Sequence, residues 1–98
     1  MKKLSLSLMA LLFGTASATA QPYDWANFAR YEAANATVRT LPQERRKVVF
    51  IGNSITDNWA NRHPDFFNGN GYVGRGISGQ TTYQMVLRFQ EDVVNLHP

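Results

Sequence analysis

The stretch Lys47-Val48-Val49-Phe50-Ile51-Gly52-Asn53-Ser54-Ile55-Thr56 decides the fold. From Lys47 to Ile51 it is an apolar, largely β-branched run, the pattern of a strand buried on both faces of a parallel sheet. Gly52 ends the run, and Ser54 follows two residues later, where open α/β sheets place their ligands. A serine on a tight turn leading into a helix exposes its Oγ, and its backbone N–H lies at the positive end of that helix. Such a serine suits a nucleophile, although a serine that only caps a helix looks the same locally. The lipase elbow G-x-S-x-G is not met, because Thr56 stands where its last glycine would be.

Downstream, Ser54 to Phe67 is polar with interspersed aromatics, and Pro64 divides any helix there into two short pieces. Asn68-Gly69-Asn70-Gly71 reads as a loop, and Tyr72 to Ile77 as a second strand, weakened by Gly74 and Gly76. From Thr81 or Thr82 as N-cap, a helix is expected to run to Leu96. Its apolar face is Met85, Val86, Phe89, Val93 and Leu96, with Arg88, Glu91, Asp92 and Asn95 opposite. Upstream, Asp24 can cap a helix reaching Ala36, with Trp25, Phe28 and Ala29 on one side. The order helix-strand-helix-strand-helix is the opening of an α/β fold with parallel strands. Two strands do not complete such a sheet, so the chain reads as the N-terminal part of a longer protein.

With 98 residues, the chain holds one domain at most. Its 44% hydrophobic and 17% charged residues are those of a globular sequence. The absence of cysteine removes disulfides, thiolate metal sites and a thiol nucleophile. Residues 1–20 carry Lys2 and Lys3, an apolar stretch from Leu4 to Phe13, and the small-residue run Ala16-Ser17-Ala18-Thr19-Ala20. This is the pattern of a secretory signal peptide, with Gln21 as the mature start and a periplasmic or extracellular destination. The apolar stretch is too short to span a membrane, so no stable span is expected after its removal. Residues 21–46 then form a helical lead-in to the domain that begins at Lys47. Without residues 1–20 the net charge of +3 falls to 8 basic against 7 acidic side chains, which leaves no footprint for nucleic acid. Arg45-Arg46-Lys47 reads as the solvated entrance to a strand. The sequon Asn35-Ala36-Thr37 carries no weight beside a bacterial type of export signal.

The second glycine-rich segment, Gly74-Arg75-Gly76-Ile77-Ser78-Gly79-Gln80-Thr81-Thr82, meets two nucleotide-binding spacings superficially. Gly74, Gly76 and Gly79 satisfy G-x-G-x-x-G, but the later strand and acidic residue are missing. Gly74 and Gly79 have the P-loop spacing, but Gln80 stands in place of the phosphate-binding lysine. Alternatively, Gly79 presents a backbone N–H at the start of the last helix, close to Ser54 because both follow strands of one parallel sheet.

At these residues the sequence resembles the SGNH (GDSL-type) hydrolases. Val49-Phe50-Ile51-Gly52-Asn53-Ser54-Ile55-Thr56 is similar to the family's first block and places Ser54 at its nucleophile. Arg75-Gly76-Ile77-Ser78-Gly79-Gln80-Thr81-Thr82 is similar to its second block and places Gly79 at the oxyanion-hole glycine. Asn53 replaces the family's Asp at a position that is not one of the catalytic groups. The G-x-N-D and D-x-x-H blocks, with the third oxyanion donor, the orienting Asp and the basic His, do not occur. Ala60 and Val94 stand three residues before His63 and His97, so neither histidine fits the last block.

The resemblance implies a three-layer α/β sandwich with a parallel, flavodoxin-like sheet, of which only the first strands and helices are present. It also implies an exported serine esterase that cleaves O-acyl, above all O-acetyl, esters of carbohydrates or small molecules, with no metal or organic cofactor. Residues 1–98 alone are expected to be inactive. A competing reading is an exported module that binds a carbohydrate or an anion without turnover, and a more distant one is a nucleotide-binding α/β domain.

Overall fold

The computed structural model describes residues 23–98; the predicted signal peptide lies outside the described residues. A 3-10 turn (Phe28–Arg30) leads into helix α1 (Glu32–Val38), and a second 3-10 turn (Gln43–Arg45) precedes strand β1 (Val48–Gly52). Helices α2 (Ser54–Arg62) and α3 (Pro64–Asn70) connect β1 to strand β2 (Tyr72–Gly76). Helix α4 (Thr82–Asp92) and a 3-10 turn (Val94–Leu96) complete the described elements. The strands pair in parallel, with Val48 opposite Tyr72 and Gly52 opposite Gly76. This is the mixed α/β opening expected from the sequence.

The side-chain alternation of the strands separates two helical layers. Phe50 faces α2 and α3 and meets Trp59 edge-on at 5.2 Å and Phe67 at 5.7 Å between ring centroids. Phe66 and Tyr72 extend this aromatic cluster. Arg75 faces the other way, toward Asn35 of α1 and Arg88 of α4. The two glycines that weakened the second strand in the sequence have a packing reason. A Cβ on Gly74 would stand 2.4 Å from the Cβ of Ala60, and one on Gly76 would stand 2.2 Å from the backbone nitrogen of Asp57. Helix α2 therefore lies directly on the β2 backbone, and its N-terminal turn is held at the carboxyl end of the sheet.

Pro64 divides the connection as expected, at the first position of α3. Asn68 to Asn70 are not a loop but the last turn of α3, and Gly71 ends it in the left-handed region with φ +69. The lead-in is not one continuous helix. Asp24 accepts from the N–H groups of Phe28 and Ala29 at 2.9 and 3.0 Å, and Asn27 at φ 56 interrupts the chain between Asp24 and the turn it caps. Trp25, Phe28 and Ala29 are exposed, whereas Ala26, Tyr31 and Asn35 are buried. The sequon asparagine is thus an interior residue.

The largest departure concerns α4. The helix ends at Asp92 rather than Leu96, and its predicted apolar face is divided: Val86 is 68% and Phe89 45% exposed, Met85 and Val93 are half-buried, and Leu96, in the following 3-10 turn, is buried, whereas Arg88 and Asp92, assigned to the outside, are fully buried. Periodicity locates an amphipathic face but does not reveal which face is covered. Here the buried face meets a polar network, and two strands supply too little sheet to cover the other. For the same reason β1, read as buried on both faces, is only half-buried.

Replacement of Gly76 by Ala is expected to cost about 1–3 kcal/mol of unfolding free energy through the clash with α2. Gly69→Ala, inside α3 with open space around it, is expected to stabilise by about 0.5–1 kcal/mol. Urea unfolding of the two variants beside the parent checks both signs.

Candidate active site

Both glycine-rich turns emerge at the same end of the sheet, because β1 and β2 run parallel and Gly52 pairs with Gly76. Ser54 is the first residue of α2 and is exposed. Asn53 precedes it with φ −106 and ψ −136, and its side chain makes no capping hydrogen bond to the helix. The N–H of Ser54 has no acceptor among the described residues. Gly79 is exposed at φ +82 with open space where a Cβ would stand, and its N–H likewise has no acceptor among the described residues. The helix after Gly79 behaves differently. Thr81 and Gln84 close a capping box at the start of α4, so the N–H groups of both residues are satisfied by side chains.

Asp57 ties the two turns together, a residue the sequence reading passed over. Its Oδ2 accepts from the N–H and the hydroxyl of Ser78, both at 3.0 Å. Its Oδ1 accepts from Asn61 Nδ2 at 2.9 Å and from Arg30 Nη2 at 3.2 Å. One carboxylate on the first turn of the serine's helix thus fixes the residue immediately before Gly79. Burial pushes this carboxyl up, but the two Ser78 hydrogen bonds, the Arg30 charge and the Asn61 amide outweigh that and hold it below its ordinary value. The available signal was one of spacing: an acid three residues after a helix-opening serine sits on the same end of the helix.

Arg88 secures the same end from within. Its Nη2 donates to Gly52 O at 3.2 Å, its Nη1 to Arg75 O at 2.8 Å and to Asp92 Oδ2 at 3.1 Å, and its Nε to Gln80 Oε1 at 2.6 Å. Gln80 in turn donates to Ala26 O at 2.6 Å. Tyr31 donates its hydroxyl to Gly76 O, and burial pushes its phenol up, which keeps the donor protonated.

The histidines are placed elsewhere. His63 follows the far end of α2, roughly 14 Å of helix from Ser54 at 1.5 Å per residue. The carbonyl of His97 accepts from Gln43 and Arg46, beside the entrance to β1 and so at the opposite end of the sheet. No group of three or more metal-ligating side chains occurs among the described residues, and no helix among them is long and apolar enough to cross a membrane.

An α/β unit with an exposed serine and free N–H donors at the carboxyl end of parallel strands defines the class. Comparison with solved structures makes it specific. The chain is similar to the crystal structure of a proposed acylhydrolase from Bacteroides fragilis, at 56% identity and a TM-score of 0.71 over 79% of this chain. It is also similar to that of a GDSL-like lipase from Bacteroides thetaiotaomicron, at 56% identity and a TM-score of 0.68 over 74% of this chain. It spans 37% and 36% of the lengths of those proteins. No protein-family model matches the chain, and no curated protein does. The chain belongs to the SGNH (GDSL-type) hydrolases and carries an N-terminal portion of their fold.

Two outcomes test the supports of the site. Arg88→Met leaves the buried Asp92 without its cationic partner and is expected to cost about 3–5 kcal/mol of stability. The lowered Asp57 value contributes stability that is complete above the unfolded carboxylate pKa of about 3.9 and is lost as pH falls through the native value. Asp57→Asn should therefore lower stability at pH 7 and flatten its decline below pH 4, measured as urea midpoints across that range.

Proposed function

We propose that this chain supplies the nucleophile and two oxyanion donors of an exported serine esterase. The observation that carries this reading is that the N–H groups of Ser54 and Gly79, on two turns joined by Asp57 and Ser78, have no acceptor among the described residues. Ser54 Oγ attacks the ester carbonyl carbon, and the carbonyl oxygen takes the negative charge between the two N–H groups. Collapse of this intermediate breaks the bond to the alcohol, which leaves with a proton, and water then releases the acid and restores the serine. The donors are held in place before reaction, and in comparable sites the loss of one costs about 10²–10³ in rate.

The base that takes the Ser54 proton, the acid that orients it and a third donor come from the D-x-x-H and G-x-N-D blocks of the family, which residues 1–98 do not contain. The names of the two Bacteroides proteins support acyl-ester cleavage. The signal-peptide pattern supports export, with O-acetyl esters of carbohydrates or small molecules as the substrate class.

The protein made from its complete gene should hydrolyse 4-nitrophenyl acetate, and Ser54→Ala should lower kcat at least about 10³-fold without loss of folding. Residues 21–98 alone should show no turnover. Retention of activity in the Ser54→Ala variant overturns the assignment, and binding of acetylated glycan without turnover by the complete protein favours the binding-module reading.

A further inference from the structure

The lead-in is not a passive tether. Gln80 donates to Ala26 O and Gln84 donates to Trp25 O at 2.8 Å, which clamps residues 23–27 against the Gly79 turn. Ala26 is buried by this contact at 2% exposure. Between lead-in and turn lies a cleft of about 210 Å³, bounded by Tyr23, Trp25, Asn27, Ser78, Gly79 and Gln84. Its two aromatic side chains remain accessible, with Trp25 47% and Tyr23 87% exposed. Clamping of the backbone with the rings left outside separates anchoring from contact.

We infer that this cleft is the alcohol subsite and receives a neutral sugar ring; the inference rests on the esterase reading above. Gly79, whose N–H has no acceptor among the described residues, is one of its lining residues, so a group in the cleft adjoins the proposed oxyanion donor. The lining is mostly polar, which suits a hydroxylated alcohol better than an acyl chain. No lysine or arginine lines it, and its one charged residue, Asp24, is engaged in capping the Phe28 turn, so the cleft holds no cationic side chain to select a phosphate or another anion. Flat aromatic rings beside amide groups match a sugar, whose ring has apolar C–H faces and a hydroxyl rim.

The test compares two acetyl esters on the protein made from its complete gene: glucose pentaacetate, which presents a sugar, and 4-nitrophenyl acetate, which does not. Trp25→Ala should lower kcat/KM for glucose pentaacetate about tenfold, mainly through KM, and leave 4-nitrophenyl acetate within about twofold. Trp25→Phe should restore most of the loss, and a thermal melt establishes that each variant is folded. A parallel fall on both substrates in Trp25→Ala makes the residue structural and overturns the subsite. So does an unchanged rate on the sugar ester, or Ser54-dependent cleavage of 4-nitrophenyl acetate alone. Absence of turnover on both esters in the parent refutes the esterase reading itself.

Discussion

The buried Arg88 guanidinium is the constraint on which the arrangement depends. A cation without access to water persists only where its donors and charge are matched, and Arg88 finds partners from four directions. Those partners are the end of β1, the backbone of β2, the turn after β2 and the next turn of its own helix. Asp92 is shared with Asn35, and Asn35 accepts from Arg75, which carries the network into α1. A burial of aliphatic side chains would tolerate small slides between these elements. Hydrogen bonds near 3 Å do not, so the two strand ends carrying the glycine-rich turns are held in one register.

The same network explains which part of the fold was legible. β1, the Pro64 break and the Thr81 cap are set by local chemistry, namely a β-branched run, a missing N–H and a hydroxyl ahead of a helix, and each lies within a residue or so of its expected place. The orientation of α4 was not legible, because a helix with one apolar and one charged face offers two faces and the sequence does not state what lies against each. Arg88 and Asp92 are four residues apart and look like a solvated surface pair. Partners distant in sequence turn them inward: the carbonyls of Gly52 and Arg75 and the amide of Gln80 for Arg88, and the amide of Asn35 for Asp92. Similarly, Asn27 in the left-handed region divides what a capping aspartate and following apolar residues suggest is one helix.

The candidate site was legible to a greater extent because it is made of backbone. Gly52, Gly76 and Gly79 are required by contacts that any side chain would obstruct or by a positive φ, and glycine declares this in the sequence itself. Ser54 and Gly79 are named as candidates by the resemblance to the family's two blocks, since local chemistry alone leaves Ser54 equally a helix cap. Asp57 could not be named in this way, because its role depends on the depth at which α2 rests on β2. That depth follows from Gly76, whose missing Cβ admits the backbone nitrogen of Asp57.

The two helix N-termini at this end of the sheet are treated in opposite ways. The start of α4 is closed by Thr81 and Gln84, whereas the start of α2 has no side-chain cap, although Asn53 is of a type that caps helices well. An open cap forgoes about 0.5–2 kcal/mol of helix stability. A structure that needed only a stable helix would rotate the Asn53 amide onto the free N–H groups. The backbone at Asn53, with φ −106 and ψ −136, instead leaves the Ser54 N–H without an acceptor among the described residues, while Asp57 takes the Ser78 N–H and that of Gly79 has no acceptor there either. The N–H groups of Ser54 and Gly79, which acyl transfer would use, have no acceptor among the described residues, and those of Ile55 and Thr56 share the open first turn of α2, whereas the Ser78 N–H is taken by Asp57. An uncapped turn of this kind is expected of donors kept ready for a charge that exists only during reaction.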